Sequence, residues 1–165
     1  MIKDTFKIAI CTNISVTSGE ESSIYSSVTF DAMMYVVERH METNTPIIIE
    51  GNFVPAGIKK TDESSFIQAL IDKYNYKSLT FKFYGDTKIL HTRYIERDIL
   101  PERGGVNAFY KDVPHADFDT ICHNLDSFCV GDKTISIDTT DFNAVNFDKH
   151  IETAQSFINK SRQQV

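Results

Sequence analysis

The sequence lacks several features, and each absence narrows the kind of protein it can encode. It has no run of about 18 apolar residues, the length at which a helix crosses a bilayer, so no membrane partner is expected. It has no excess of basic residues, because 17 lysines and arginines stand against 23 aspartates and glutamates, giving a net charge of −6. Nucleic acid is therefore not an expected partner, since non-specific binding to phosphates needs a basic surface.

Cysteine is scarce, and Cys11, Cys122 and Cys129 form an odd set without a CxxC pair. A disulfide framework is not expected, and a reducing cytoplasm is the expected location. A helix could bring Cys122 and Cys129 together beside His123, but small buried hydrophobic side chains are the preferred interpretation of both cysteines. No metal site is predicted.

Glycine is also rare, and none of the seven glycines is followed by lysine, so no GxxxxGK[ST] motif exists. The backbone amides of that motif cradle phosphates, its lysine reaches the transferring group, and its hydroxyl binds magnesium. A helix N-terminus alone does not replace these groups. The sequence therefore lacks the usual means of holding a nucleoside triphosphate.

The residues that are present predict a single α/β domain over residues 1–165. Short apolar or alternating runs predict strands at the isoleucines 47–49, at "SLTFKFYGD" and at "KTISIDTT". Residues 18–23 are predicted to be a polar loop. Apolar spacing predicts helices at residues 2–10 (with a strand as the alternative), 28–41, 66–74, after a cap at Asp86, 115–128 and 144–158. This alternation indicates a mainly parallel sheet, with the isoleucine strand buried on both faces.

Ligands of parallel sheets collect beyond the carboxyl ends of the strands, and polar residues follow all three predicted strands. They are Glu50, Gly51 and Asn52 after the first, Asp86 after the second, and Asp138, Thr139 and Thr140 after the third. The Glu50 carboxylate could hold a magnesium-bound water or orient a nucleophile. Alternatively, it could satisfy the amides of its own loop.

Three arginines form a second group of candidates. Arg93 and Arg97 are four residues apart, so a helix places them on one face, and Arg103 follows in a "PERGG" loop. Guanidinium groups suit phosphate oxygens and could neutralise charge on a transferring phosphoryl group. Alternatively, Arg97 pairs with a nearby carboxylate such as Asp98 on a solvated face.

The order "PIIIEGNF", "LTFKFYGD", two arginines four apart, "ISIDTT" and a terminal helix resembles P-loop small-molecule kinases. The most similar are ATP-binding proteins related to chloramphenicol phosphotransferase and zeta-toxin kinases. The resemblance covers almost the whole chain. It implies a three-layer α/β/α fold with a mainly parallel sheet, and transfer of phosphate from ATP, with Mg²⁺, to a small-molecule substrate.

The resemblance also implies roles for individual residues. Glu50 would support magnesium or substrate, and the lid around the phosphates would contain Arg93, Arg97 and Arg103. The cofactor-binding residues would be Gly51 and Asn52, together with Thr139 and Thr140 near the adenine. One departure is the sequence "RGGVN" from Arg103, where many relatives have a histidine-containing lid.

The start of the chain is similar to an internal segment of the family, "KDMIKDTL", so the first strand, the P-loop and the first helix are missing by this comparison. Asp4 is then not the substrate-binding aspartate, which would precede Met1. Loss of a central strand would leave strand edges unpaired, or force the remaining strands together, and a homodimer or larger assembly is expected because exposed edges associate.

Three functions remain open. The preferred one is a P-loop kinase-like domain that is inactive or impaired without its nucleotide-binding segment. The second is an active kinase whose true start lies upstream. The third is a non-catalytic remnant that binds a ligand or partner through the cleft at the strand ends.

Overall fold

The computed structural model describes residues 1–53, 62–98 and 112–162. Within these ranges the chain forms six α-helices and two β-strands. In chain order they are α1 (Lys3–Cys11), α2 (Gly19–Glu42), α3 (Glu63–Tyr74), β1 (Leu79–Tyr84), α4 (Thr87–Asp98), α5 (His115–Asp126), β2 (Lys133–Asp138) and α6 (Phe147–Arg162). A 3₁₀ turn at Phe142–Ala144 precedes α6.

The two strands form a parallel pair whose register runs from Leu79 opposite Lys133 to Tyr84 opposite Asp138. Asp86 caps α4 as expected, because its Oδ1 accepts hydrogen bonds from the backbone N–H groups of Lys88 (2.9 Å) and Ile89 (3.2 Å). The prediction of a mixed α/β chain with parallel strands is therefore confirmed. In the described part of the chain, the sheet has these two strands.

The isoleucine run departs from its prediction. Residues 47–49 belong to no strand, and a single parallel bridge joins Glu50 to Ile2. Ile47 and Ile49 pack against the core, whereas Ile48 is 73% exposed. The prediction of a strand buried on both faces is wrong, because no described strand pairs with residues 47–49 and one face of the run stays in solvent. Among the described residues, β1 pairs with β2 and not with this run.

Helix α2 begins earlier than its apolar pattern predicts. Ser18 Oγ accepts a hydrogen bond from the Glu21 amide at 3.1 Å, and the Glu21 carboxylate accepts one from the Thr17 amide at 2.7 Å. Serine followed three residues later by glutamate is the capping-box spacing, which satisfies amides that the first turn leaves without partners. The prediction of a loop over 18–23 is wrong for this reason, and the helix extends from Gly19 to Glu42.

The core lies between α2 and α3. Helix α2 buries one stripe of side chains at helical spacing, and α3 faces it with a second stripe. The buried apolar residues of this cluster are Phe30, Met33, Met34, Val37, Met41, Phe53, Ile67, Leu70, Ile71 and Val130. Phe53 lies four residues after Ile49, so the segment that follows the isoleucine run is anchored in the core.

Helix α1 forms as expected, but its buried face is unusual. The buried residues are Lys3, Lys7 and Cys11, one helical turn apart, while the apolar Ile2 is 50% exposed. Two lysine side chains thus point inward, an arrangement that requires partners because an unpaired buried charge is strongly unfavourable.

Cys122 is half-buried and Cys129 is exposed, so the interpretation of both as buried hydrophobic residues is wrong for Cys129. Within the described ranges, three or more potential metal ligands do not gather at any point. None of the described helices is long and apolar enough to span a bilayer.

The cap of α3 gives a pH-dependent prediction. Asp62 accepts hydrogen bonds from the Ser65 side chain and amide and from the Ser64 hydroxyl, which lower the pKa of its carboxyl to about 2. A lowered folded-state pKa means that this stabilisation is full above the unfolded-state pKa of about 4 and is lost as the pH falls towards 2. The urea midpoint of the wild type should therefore exceed that of Asp62→Asn most near neutral pH.

Asparagine is a suitable comparison, since its side-chain oxygen can still cap the helix but does not titrate. The difference between the two midpoints should shrink at about pH 3. A difference that is constant with pH would show that the Asp62 charge does not contribute.

Candidate functional site

The backbone of Glu50 lies beside the start of α1, and its side chain is exposed. The Glu50 amide donates to Met1 O at 2.8 Å, and Glu50 O accepts from the Lys3 amide at 2.9 Å. Among the residues that the structure describes, no amide donates to the Glu50 carboxylate. Within that part of the chain, the carboxylate remains open to solvent and to a ligand.

Lys3 contacts the two residues that follow Glu50. Its Nζ donates to Asn52 O at 3.2 Å, and its side chain runs against Gly51, where an added Cβ would lie 2.7 Å from Lys3 Cβ. A side chain at position 51 would have to displace Lys3. Gly51 therefore allows this close approach and, like Asn52, directly follows the bridge residue Glu50.

The carboxyl ends of β1 and β2 are tied together by two threonines. The Thr139 amide and hydroxyl both donate to Tyr84 O, at 2.7 and 2.8 Å. Thr140 Oγ1 accepts a hydrogen bond from the Asp86 amide at 2.9 Å. The Thr140 amide donates to Asp138, and the hydrogen bonds from Thr140 lower the pKa of that carboxyl.

Arg93 lies against the same strand ends. Its Nη1 donates to Thr139 O, and its Nη2 donates to Thr140 O at 2.8 Å. Its guanidinium carbon is 4.6 Å from the centre of the Phe142 ring. The structure thus brings together Arg93, Thr139 and Thr140, but the guanidinium fork is engaged by two carbonyl groups of the chain.

Of the other two arginines, Arg97 lies within the described residues and Arg103 does not. Arg97 is exposed, and its guanidinium carbon lies 5.5 Å from the centre of the Tyr94 ring. Arg103, and the "RGGVN" sequence that begins with it, lie outside the described residues. The predicted lid roles of all three arginines stay predictions.

Two features of this region were not predicted from the sequence. Phe142, 50% exposed, stacks on Phe147 with ring centres 6.3 Å apart. We refer to Arg93, Phe142 and Phe147 as the Arg–Phe stack. Its signal in the sequence is an aromatic residue two positions after "IDTT". The second unpredicted feature is Lys3, whose side chain points inward. The sequence indicates this burial only through the spacing that places Lys3 on the same helix face as Cys11.

The chemistry of the site follows from these contacts. An exposed carboxylate at Glu50 can accept a proton or bind a hydrated cation. In the Arg–Phe stack, Phe142 is 50% exposed and Phe147 is 40% exposed, so part of each ring is in contact with solvent.

Comparison with solved structures supports the fold that the sequence resemblance implied. The sequence matches no known family model and no curated protein. A solved structure from Chloroflexus aurantiacus, described as a "putative kinase", matches with a TM-score of 0.76 and 14% identity, over 94% of this chain and 81% of that one. At that identity the likeness shows the fold alone. The kinase-like fold that the sequence resemblance implied is thus confirmed, and the narrower relation to chloramphenicol phosphotransferase and zeta-toxin kinases stays a prediction.

Proposed function

We propose that this chain is a P-loop kinase-like protein, related to ATP-dependent small-molecule phosphotransferases, that is inactive or impaired in this form. The observation that carries the proposal is a kinase-like fold in a sequence without a GxxxxGK[ST] motif. In such kinases that loop holds the phosphates, and no described group replaces it. The proposed fold is the three-layer α/β/α arrangement without its first strand and phosphate loop.

Several residues outside the missing motif support an origin of this chain from phosphoryl-transfer enzymes. Glu50 is exposed at an isolated bridge after the isoleucine run and could support magnesium or the acceptor of the phosphate. Thr139, Thr140 and the Arg–Phe stack lie at the carboxyl ends of β1 and β2, where the resemblance would place the adenine. Mg²⁺ and ATP would be the cofactors of the complete site, supplying the charge-neutralising ion and the phosphate. In this chain Arg93 holds the turn after β2, which reduces its use as a phosphate ligand.

A titration with Mg-ATP tests the proposal. We expect no saturable binding tighter than about 1 mM, or about 4 kcal/mol, when heat is measured by isothermal calorimetry. Adenosine serves as the control, because it lacks the phosphates and would use only the base surface. Saturable micromolar binding of Mg-ATP that adenosine does not reproduce would contradict the proposal and would require a phosphate site elsewhere in the chain.

The alternative of an active kinase with an upstream start has its own test, which is the sequence of the DNA before the Met1 codon. An in-frame strand, GxxxxGK[ST] loop and helix would favour it, whereas a stop codon would favour the remnant. Association into a homodimer or larger assembly through the open edge of β1 is part of the proposal. A monodisperse monomer in light scattering would remove that part.

A further inference from the structure

Lys3 is a charged residue buried where the candidate site begins. It is 5% exposed, and it contacts Glu50, Gly51 and Asn52 in succession. Its backbone amide donates to Glu50 O at 2.9 Å, and its ammonium donates to Asn52 O at 3.2 Å. Its Cβ lies so close to Gly51 that an added methyl group would be 2.7 Å away. Lys3 thus contacts all three residues of the segment 50–52, from which the Glu50 side chain projects.

The far end of the Lys3 side chain is fixed as firmly. Its Nζ lies 2.7 Å from both carboxylate oxygens of Glu63, which is 1% exposed in the first turn of α3. The rings of Phe30 and Phe53 flank the ammonium, with centres 5.4 and 5.5 Å away. Hydrogen bonds to ionised groups are short and directional, so the ammonium has one well-defined position.

Such a pair is better suited to fixing geometry than to adding stability. Taking two charges out of water is unfavourable, and apolar residues of similar size often give equal or greater stability. What apolar residues cannot supply is the donor that holds Asn52 O. The contribution of the pair at this point of the fold is therefore the position of the backbone over residues 50–52.

We propose that Lys3, held by Glu63, is a positioning residue that fixes the Glu50–Asn52 backbone and so the point from which the Glu50 carboxylate projects. The relevance to phosphoryl transfer rests on the proposed function, but the positioning itself does not. The proposal also assigns a reason for Gly51, since the Lys3 side chain passes directly over its Cα.

The test is amide hydrogen exchange in the double variant Lys3→Met, Glu63→Leu, which removes both charges and keeps apolar bulk. We expect its urea midpoint to be unchanged or raised. Exchange at the amides of Glu50 and residue 3 should nevertheless be faster by about ten- to hundredfold, the range for one lost charge-assisted hydrogen bond. Exchange in α4 should be unchanged, which separates a local effect from a general loss of stability.

The matched control is Lys7→Met in the same helix. Lys7 is also buried, and its ammonium donates to Ser22 Oγ at 2.7 Å. This variant should not accelerate exchange at Glu50 more than in α4. Gly51→Ala provides a second route if the double variant does not fold, because it keeps both charges and displaces Lys3. It should accelerate exchange at the same two amides.

The possible outcomes distinguish the positioning role of Lys3 from the proposed function of the chain. Unchanged exchange at Glu50 in a stable double variant, or in Gly51→Ala, would overturn the proposal and leave Lys3 as a buried structural charge. Faster exchange at Glu50 in the double variant would uphold the positioning role of Lys3. If the wild type also bound Mg-ATP at micromolar concentration, the proposed function would be contradicted while the positioning role would stand. The two ideas can therefore fail independently.

Discussion

Replacing Glu63 by glutamine while Lys3 stays in place is expected to lower the free energy of unfolding by about 3–5 kcal/mol. The ammonium of Lys3 would keep its buried position but lose both carboxylate oxygens, each now 2.7 Å away. Glutamine offers one acceptor and no negative charge, so the buried cation would lose the carboxylate with which it is paired. Urea denaturation followed by circular dichroism measures the loss.

The comparison is the exposed ion pair between Lys73 and Glu38, whose atoms are also 2.7 Å apart. Lys73 is 59% exposed at its side chain, and solvent screens such pairs, so Lys73→Met should change the midpoint very little. Similar losses in Glu63→Gln and Lys73→Met would mean that burial does not set the strength of the first pair.

Replacing Phe30 by alanine should have a comparable effect, lowering the free energy of unfolding by about 3–5 kcal/mol. Phe30 is 1% exposed and meets the rings of Phe53 and Phe66 edge to face, with centres 6.3 and 5.8 Å apart. Removing the ring leaves a cavity in close-packed surroundings and takes away one wall of the Lys3 site. Thermal and urea unfolding both report the change.

Phe83→Ala is the control for this substitution, since Phe83 lies on β1 and is 57% exposed. It removes the same atoms from a position that is mostly in water, and its effect should be several times smaller. Equal effects at the two positions would place part of the core around β1 instead of between α2 and α3.

Local sequence patterns predicted most of the helices and both strands of the sheet. The spacing of Phe66, Leu70 and Tyr74 located α3, and the alternation in "KTISID" located β2. The start of α2 was also present in the sequence, as serine followed by glutamate three residues later, but the apolar periodicity begins only after that cap. A helix whose first turns are polar is missed when apolar residues alone define it.

The isoleucine run shows a second limit of structure prediction from local sequence patterns. Its residues have the β-branched composition of a buried strand, and the backbone does end in a bridge at Glu50. Burial on both faces, however, depends on neighbouring strands and on helices above and below them. A local pattern cannot tell whether those neighbours are present, and Ile48 is consequently exposed.

The order of elements in the sequence placed Thr139 and Thr140 after the third predicted strand and Arg93 on the helix after the second. The structure shows Arg93 donating to the carbonyls of both threonines, while their predicted roles near an adenine and in a lid stay predictions. These contacts were not predictable, because the carbonyls that accept from Arg93 are backbone groups more than forty residues away. The same holds for the Lys3–Glu63 pair, which joins positions sixty residues apart in a chain with many other lysines and glutamates.

The exposed Phe142 ring also makes the protein open to optical measurement. The chain contains no tryptophan, so Phe142→Trp would introduce a single indole at the Arg–Phe stack. The fluorescence of this indole could be excited without interference from another indole. A molecule that stacks on the ring would change the intensity or the wavelength of its emission. The absence of tryptophan thus lets one substitution turn the proposed base surface into a fluorescent reporter of its own occupancy.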